Sequence, residues 1–311
     1  MADVKIEQGT FYGFPDCVRL NNGKVVLTIA PNVGRIVGYH RVGEKNLIWL
    51  NPEPIVPEKL KATEWANYGG DKVWPTAQFL WPQAMGRAWP PDRALDGKSF
   101  TLRRLKSGKV KLIGPVSRHL GVRVIRQISL SPDSTRVVID NTLERKEAVD
   151  FPVHIWTVTQ CLQPKYALLD LAPDRAEPKR RALKMDGKGL TKFIQDVGDE
   201  QAVRFDPYMP THGKVGTYGR WVAGVYEKRC FVQTCRYDPK ACYLDRANCE
   251  IYTNKPSQRY LELELLSPAA AIRPGEKTSF RVTWHILPLT KTDDPEKIVN
   301  RIRLISSSSD R

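Results

Sequence analysis

The stretch Tyr260-Leu261-Glu262-Leu263-Glu264-Leu265 alternates strictly between polar and apolar side chains. Side chains of a β-strand point to opposite faces in turn, so this period predicts a strand with three leucines on one face. The other face carries Tyr260, Glu262 and Glu264. An unpaired buried carboxylate is costly or takes up a proton, so these carboxylates need water, a cation or a ligand. Two interpretations stay open: an acidic pair that anchors chemistry, or the ordinary acidic outer face of a half-exposed strand.

Short alternating segments of the same kind, separated by turn residues, recur along the whole chain. They are 24–29, 35–40, 122–130, 135–140, 221–226, 230–235, 250–254 and 280–287. Many short strands at this spacing are typical of a sandwich or barrel. Helical signals are few: 57–65 is one candidate, and Asp294-Pro295-Glu296 supplies a cap and a proline suited to a helix start.

The sequence therefore predicts an all-β fold with few short helices. No repeat of fixed period is evident, and residues 1–311 are expected to form a single domain. Within it, 173–192 is rich in charge and poor in large apolar residues, which indicates a surface excursion. The polar tail 306–311 is expected to fray.

The chain is strongly basic, with a net charge of +15 and a pI of about 9.6 over 311 residues. Such a surface attracts polyanions. Local peaks of positive charge at 103–111 and 179–192 also fit solvated loops and hairpin tips. No zinc-finger spacing, RNP motif or helix-turn-helix pattern appears, so nucleic acid is not expected as a partner. No apolar run is long enough to span a membrane.

Six cysteines are present and none forms a CxxC pair, so a zinc site is not expected. Carboxylates are plentiful but no metal-ligand spacing stands out, so no metal is expected, and no cofactor is expected either. Cys242 and Cys249 flank a predicted hairpin turn, where a disulfide is one option. Met1-Ala2 before Asp3 is compatible with an exported or periplasmic protein whose leader has been removed.

The segment 67–75, with Gly69 and Gly70 at its centre, is the most unusual loop of the sequence. Glycines allow a sharp turn or a close approach to a ligand. Six of the eight tryptophans fall at positions 49, 65, 74, 81, 89 and 156. Indole faces stack on sugar rings, so a carbohydrate groove is one interpretation, and a packed core edge is the other.

Two histidines have a distinctive context. On a strand, His154 shares one face with Trp156, Val158 and Gln160, whereas His212 lies in a loop-like stretch. Imidazole is a natural general acid or base near neutral pH, although a lone histidine on a strand is more often a structural hydrogen-bonding group.

In combination, four segments resemble the galactose mutarotase-like superfamily, which includes the aldose 1-epimerases. Residues 30–36 are similar to its Gly-Arg-Ile turn, and 67–74 to its glycine-rich segment, where Lys72 takes the place of a sugar-binding arginine. Residues 130–160 resemble the stretch that leads to a catalytic histidine, and 252–264 the strand pair with a catalytic glutamate. The epimerase motif Asn-His-x-Tyr-Phe-Asn is absent.

The resemblance implies an antiparallel β supersandwich with a sugar-binding face and an epimerase mechanism. Glu264 or Glu262 would act as the base, and His154 or His212 as the acid. Sugar hydroxyls would be held by a wider set of polar and aromatic side chains: Asn67, Asp71, Lys72, Trp74, Gln78, Trp156, Gln160, Lys214, Tyr218 and Arg220.

Two further functions stay open. A lyase acting on an acidic polysaccharide would need a cation at the uronate carboxylate and a base at the sugar C5 proton. Lys72, Arg220, Tyr218, His212 and Lys214 are candidates for these roles, and the charge of +15 suits an anionic polymer. A non-catalytic glycan-binding module would use the acidic pair to hold hydroxyls.

Overall fold

A computed structural model describes residues 4–53, 55, 65–105, 108–172, 184–199 and 201–308. In these ranges the chain forms twenty strands and two α-helices. The predicted all-β class with few short helices is confirmed. No helix in these ranges is long and apolar enough to cross a membrane.

The first ten strands and the first helix lie between residues 5 and 162. They are β1 (Lys5–Phe11), β2 (Phe14–Asn21), β3 (Val25–Ala30), β4 (Arg35–Arg41), β5 (Asp71–Trp74), α1 (Trp81–Met85), β6 (Thr101–Arg104), β7 (Val110–Ser117), β8 (Val122–Leu130), β9 (Val137–Arg145) and β10 (Trp156–Leu162).

The remaining strands and the second helix follow. They are β11 (Tyr166–Asp170), β12 (Lys184–Asp186), β13 (Ile194–Val197), β14 (Ala202–Phe205), β15 (Gly213–Thr217), β16 (Trp221–Val225), β17 (Arg229–Cys235), β18 (Cys249–Thr253), β19 (Tyr260–Leu266), β20 (Lys277–Pro288) and α2 (Pro295–Ser308).

The strands build two ten-stranded sheets. One has the order β1-β2-β3-β4-β5-β10-β19-β18-β15-β12, and the other β13-β14-β11-β16-β17-β20-β9-β8-β7-β6. Neighbouring strands run antiparallel, as in the pairs β8–β9, β16–β17 and β18–β19. Two large antiparallel sheets with little helix are the architecture of a β supersandwich, as predicted.

The chain divides into two compact units. The first comprises residues 1–159 with 269–281, and the second residues 160–268 with 282–311. That residues 1–311 form one domain stays a prediction.

In the first unit the alternating burial of β8 and β9 shows why the sequence forms strands there. Val122, Val124 and Ile128 are buried together with Arg126, and the residues that alternate with them are partly exposed. A period of two places apolar groups on one side, where they meet the core. The predicted strand 122–130 coincides with β8.

In the second unit α2 covers one face of a sheet. Its residues Ile298, Val299 and Ile302 belong to an apolar cluster with Trp221 and neighbours on β11, β16 and β17. The Asp294 carboxylate accepts a hydrogen bond of 2.9 Å from the backbone N–H of Lys297, which caps the helix as predicted.

Some expectations need correction. The helix α2 includes 306–308, which were expected to fray, and 309–311 lie outside the described residues. The segment 173–192, expected to be a surface excursion, contains strand β12. Its residues 173–183 lie outside the described residues. The helix expected over 57–65 also lies outside the described residues, except for Trp65, which is not helical. All six cysteines are free, so Cys242 and Cys249 are not bridged.

Candidate functional site

Strands β15, β18 and β19 of the second unit bring polar side chains together from distant parts of the chain. Glu250 lies opposite Glu264, and Tyr252 opposite Glu262. Lys214 lies opposite Tyr252 on the next strand. Because residues opposite each other and residues two apart share a face, these five side chains lie on one face of the sheet. We call Lys214, Glu250, Glu262 and Glu264 the carboxylate cluster.

The three glutamates of the carboxylate cluster are buried. Glu250 and Glu264 are 0% exposed and Glu262 is 9% exposed. The leucines that alternate with them on β19 are also fully buried, so the strand is covered on both faces. The interpretation of β19 as a half-exposed strand with an ordinary acidic outer face is therefore wrong.

Lys214 joins two of the three acids. Its Nζ atom is 2.6 Å from Oε2 of Glu250 and 2.8 Å from Oε2 of Glu264. Like charges directly opposite each other destabilise a strand pair, and Lys214 compensates this pair. Burial alone would lower the pKa of Lys214, but the two carboxylates raise it well above its ordinary value, which keeps the ammonium group charged.

Glu262 has a different environment. Its Oε1 atom accepts a hydrogen bond of 2.9 Å from Nε2 of Gln160, and it is the most exposed of the three glutamates. Gln160 is 1% exposed, and its Oε1 atom is buried with no hydrogen-bond partner in the part of the chain that the structure describes. An unsatisfied buried acceptor costs about 1–3 kcal/mol, so a donor from a ligand would be stabilised at this atom.

Tyr252 lies between Lys214 and Glu262 in the same row of the sheet. The pKa of Tyr252 is raised to about 12: burial is the largest cause, the charges of Glu262 and Glu264 add to it, and Lys214 partly opposes them. The phenol therefore stays neutral and remains a hydrogen-bond donor throughout the physiological range.

We expect Tyr252 to ionise near pH 12, above the ordinary tyrosine value of 10.0. Because its pKa is raised on folding, the phenol stabilises the fold fully below pH 10, and this contribution is lost as the pH rises towards 12. The ultraviolet absorbance of phenolate during an alkaline titration measures this, as the difference between the native chain and Tyr252→Phe.

The matched control is Tyr208→Phe, which removes a phenol whose residue is 60% exposed. If the two substitutions removed the same part of the titration curve, the environment described for Tyr252 would be contradicted.

Three other predicted residues of the second unit surround β15. His212 is exposed, directly precedes this strand and is two residues from Lys214. Tyr218 follows the strand and lies 6.2 Å from Tyr237, measured between ring centroids. Arg220 donates its backbone N–H to a carboxylate oxygen of Asp170 at 2.8 Å.

In the first unit the glycine pair approaches protein backbone. Gly69 and Gly70 have φ angles of +79° and +81°, a region that favours glycine. A Cβ atom on Gly69 would lie 2.3 Å from the carbonyl oxygen of Trp49, and one on Gly70 would lie 2.9 Å from that of Ile36. The predicted sharp turn is present, and the close contact that requires glycine is with Trp49 and Ile36.

Both carboxylate oxygens of Asp71 have partners within the first unit. Asp71 is 1% exposed and forms an ion pair with Arg126, while its Oδ2 atom accepts a hydrogen bond of 2.8 Å from Thr159. Arg126 also donates to the Asp71 carbonyl and to Asn141, each at 3.0 Å. Both carboxylate oxygens thus have protein partners, which connect β5 to the neighbouring strand β10 and to β8 of the other sheet.

Tryptophans pack around Trp74. Its ring centroid is 4.9 Å from that of Trp156, 5.2 Å from that of Trp81 and 6.3 Å from that of Trp89. The Nζ atom of Lys72 lies 4.9 Å from the Trp74 ring centre, within the range of a cation–π contact. Trp74, Trp81 and Trp156 are buried, which agrees with a packed core edge, whereas Trp89 is 45% exposed.

The other predicted residues of the first unit occupy contrasting positions. His154 is 0% exposed, and its backbone N–H donates to Pro75 at 3.0 Å. Asn67 is buried and accepts a hydrogen bond from the N–H of Gly69 at 3.3 Å, which supports the glycine turn. Gln78 is exposed, at the start of a short 3₁₀ turn.

Glu250 and Tyr252 belong to the site but were not predicted from the sequence. A signal for both was available, because they alternate with Cys249, Ile251 and Thr253 on the strand that precedes β19. Pairing two alternating strands across a hairpin places their polar faces together.

Comparison with known proteins shows the family and the fold. The model of the family described as "Domain of unknown function (DUF4380)" matches residues 16–287. Among curated proteins, none matches the sequence significantly.

Solved structures similar to this chain include a galactose mutarotase-like protein from Lactobacillus casei. Its TM-score is 0.57 at 9% identity, and the match covers 87% of this chain and all of that one. For a galactose mutarotase-like protein from Clostridium acetobutylicum the TM-score is 0.54 at 10% identity, with 92% and 99% covered. For an aldose epimerase homologue from C. elegans it is 0.51 at 8% identity, with 93% and 100% covered. The fold is galactose mutarotase-like.

Proposed function

This chain belongs to the family described as a domain of unknown function (DUF4380), and from its own side chains we propose that it is a sugar isomerase of the epimerase type. Glu262 is the base that removes a proton from the anomeric hydroxyl. The fold supports this assignment, since it is shared with proteins described as galactose mutarotase-like and as an aldose epimerase homologue.

The contact between Glu262 and Gln160 is the observation that most strongly supports this proposal. Gln160 holds one oxygen of Glu262 at 2.9 Å, and its own Oε1 atom is a buried acceptor with no partner among the described residues. A sugar hydroxyl placed here donates to the amide oxygen, and a neighbouring hydroxyl meets the carboxylate. A polar site lacking one donor is suited to a polyhydroxylated ligand.

The ion pairs of Lys214 distinguish Glu250 and Glu264 from Glu262. Lys214 binds Glu250 and Glu264 through one oxygen each and compensates their charges. Glu264, the alternative base, is 0% exposed and tied to this lysine, whereas Glu262 is the more accessible carboxylate. We therefore assign Glu262 to proton transfer, and Lys214, Glu250 and Glu264 to its support.

His212 is the proposed acid. It is exposed on the segment that enters β15, whereas His154 is fully buried. The proton of the anomeric hydroxyl passes to Glu262, His212 gives a proton to the ring oxygen, and the bond between the anomeric carbon and this oxygen breaks. The aldehyde of the open chain rotates, and the reverse transfers close the ring on its other face. General acid–base catalysis of this kind contributes roughly 10²–10⁴-fold for each group.

The lyase alternative has less support from the second unit. A lyase needs a free cation to neutralise the uronate carboxylate, and Lys214, one candidate for this role, is already bound to Glu250 and Glu264. We therefore retain the isomerase.

We expect Glu262→Gln to slow anomer interconversion by about 10²-fold or more, because the amide cannot accept the proton. Polarimetry on a panel of freshly dissolved aldoses measures the rate above the spontaneous reaction. Glu227→Gln is the matched control, since the Glu227 side chain is 77% exposed and pairs only with Lys165 among the described residues.

Circular dichroism of both variants checks that the fold is intact. Native activity in Glu262→Gln would exclude this residue as the base. A folded native chain without activity on any aldose of the panel would count against the epimerase function itself.

A further inference from the structure

The first unit has a basic, half-exposed sheet face that the proposed isomerase chemistry does not use. It is formed by β6, β7, β8, β9 and the first residues of β20. On this face Arg103 lies opposite Lys111, Lys111 opposite Gln127, and Gln127 opposite Asp140. We call it the basic face.

An open groove of about 220 Å³ crosses the basic face. Its lining residues come from four strands and are Lys111, Ile125, Gln127, Asp140, Thr142, Lys277 and Ser279. The Thr142 and Ser279 hydroxyls are 2.9 Å apart, and either can donate to the other. The groove therefore presents two ammonium groups together with an amide and two hydroxyls.

The negative charges of the carboxylates on the basic face are balanced by neighbouring cationic side chains. Asp140 accepts hydrogen bonds of 2.6 and 3.1 Å from Arg281. Glu144 accepts one of 2.5 Å from Arg123, and Lys146 and Lys277 lie 3.7 and 4.0 Å from it.

The charge state of Glu144 reflects these cations. Burial would raise its pKa, but the hydrogen bond from Arg123 and the charges of Arg123, Lys146 and Lys277 lower it overall. Arg103 and Lys111 have no carboxylate partner in the described part of the chain, so the face carries an excess of positive charge.

We propose that the basic face binds an acidic polysaccharide, a chain of uronic acid units whose carboxylates meet Lys111 and Lys277. Bonds between ammonium and carboxylate groups are stronger than neutral hydrogen bonds, and sugar hydroxyls match Gln127, Thr142 and Ser279. The chain charge of +15 increases the local concentration of such a polymer.

The lining favours a polysaccharide over a nucleic acid. Proteins that bind single-stranded nucleic acid combine a basic groove with aromatic side chains on which bases stack. The seven lining residues include no aromatic side chain, and hydroxyl and amide groups stand between the lysines. This arrangement suits a ligand with hydroxyl groups at every unit and carboxylates at intervals.

The test is a calorimetric titration with polygalacturonate at low ionic strength. We expect the native chain to bind it, the affinity to fall steeply with added salt, and the fully methyl-esterified polymer to bind at least tenfold more weakly. The double variant Lys111→Gln/Lys277→Gln should lose roughly tenfold in affinity, because two charge-assisted contacts are removed.

The matched control is Lys228→Gln/Lys291→Gln, which removes the same charge at two exposed lysines of the second unit and should bind like the native chain. Four results would overturn the proposal: no binding by the native chain, equal losses in both double variants, equal binding of the methyl-esterified polymer, or tighter binding of DNA at equal charge. Glu262→Gln should leave the affinity unchanged, which separates this surface from the proposed isomerase site.

Discussion

Substitution of Lys214 by methionine is expected to lower the free energy of unfolding by about 3–5 kcal/mol. Methionine retains most of the length of the lysine stem, so the packing changes little. What is lost is the ammonium group 2.6 Å from Glu250 and 2.8 Å from Glu264. Both glutamates are 0% exposed and lie directly opposite each other, so each would keep a buried carboxylate without its cation.

Urea unfolding followed by circular dichroism measures this loss. Lys228→Met is the control, because this lysine is exposed and its substitution should change the free energy of unfolding by less than about 0.5 kcal/mol.

A triple variant, Lys214→Met/Glu250→Gln/Glu264→Gln, distinguishes the effect of unpaired charge on the free energy of unfolding from the effect of altered packing. It removes the two carboxylates together with their cation and should recover a substantial part of the lost stability. A loss below about 1 kcal/mol in Lys214→Met, as for a surface ion pair, would contradict the account of the carboxylate cluster.

The strands could be predicted from the sequence because a period of two is a local property. The segment 122–130 coincides with β8, and the predicted hairpin 221–226 with 230–235 is the pair β16–β17. The start of α2 was predictable for the same reason, since Asp294 caps a helix that begins at the next residue.

The contacts of the candidate site depend on strand register, which alternation alone does not give. Lys214 and Glu264 are fifty positions apart in the chain, and the sequence shows only that each lies on an alternating segment. Once β15, β18 and β19 are paired, the lysine and the acids fall on one face. This is why Glu264 and Glu262 could both be proposed as the base but not distinguished.

The loop at 67–75 shows a second limit of prediction from the sequence. Two glycines indicate that something approaches closely, but not what approaches. The carbonyl of Trp49 occupies that space beside Gly69. In the same way, a polar residue such as Asp71 was a reasonable candidate for binding hydroxyls, and its partner Arg126 lies 55 positions further along the chain.

Arg126→Met is expected to lower the free energy of unfolding by about 3–5 kcal/mol as well, in the first unit. Arg126 and Asp71 are each 1% exposed, and the guanidinium group also donates to Asn141 and to the Asp71 carbonyl. Methionine fills part of the space but donates no hydrogen bond. A buried carboxylate, a buried amide oxygen and a carbonyl would each lose a donor. Among the described residues, the Asp71 carboxylate would keep the hydrogen bond of 2.8 Å from Thr159.

The chain itself offers a matched control for Arg126→Met. Arg281 pairs with Asp140 through two hydrogen bonds on the surface of the same unit, and its side chain is 62% exposed. Arg281→Met should therefore cost no more than about 1 kcal/mol, because water replaces the lost contacts. Burial, not the chemistry of the pair, accounts for the expected difference. Equal losses in the two variants, measured by urea unfolding, would show that the buried ion pair of Asp71 does not hold β5 in place.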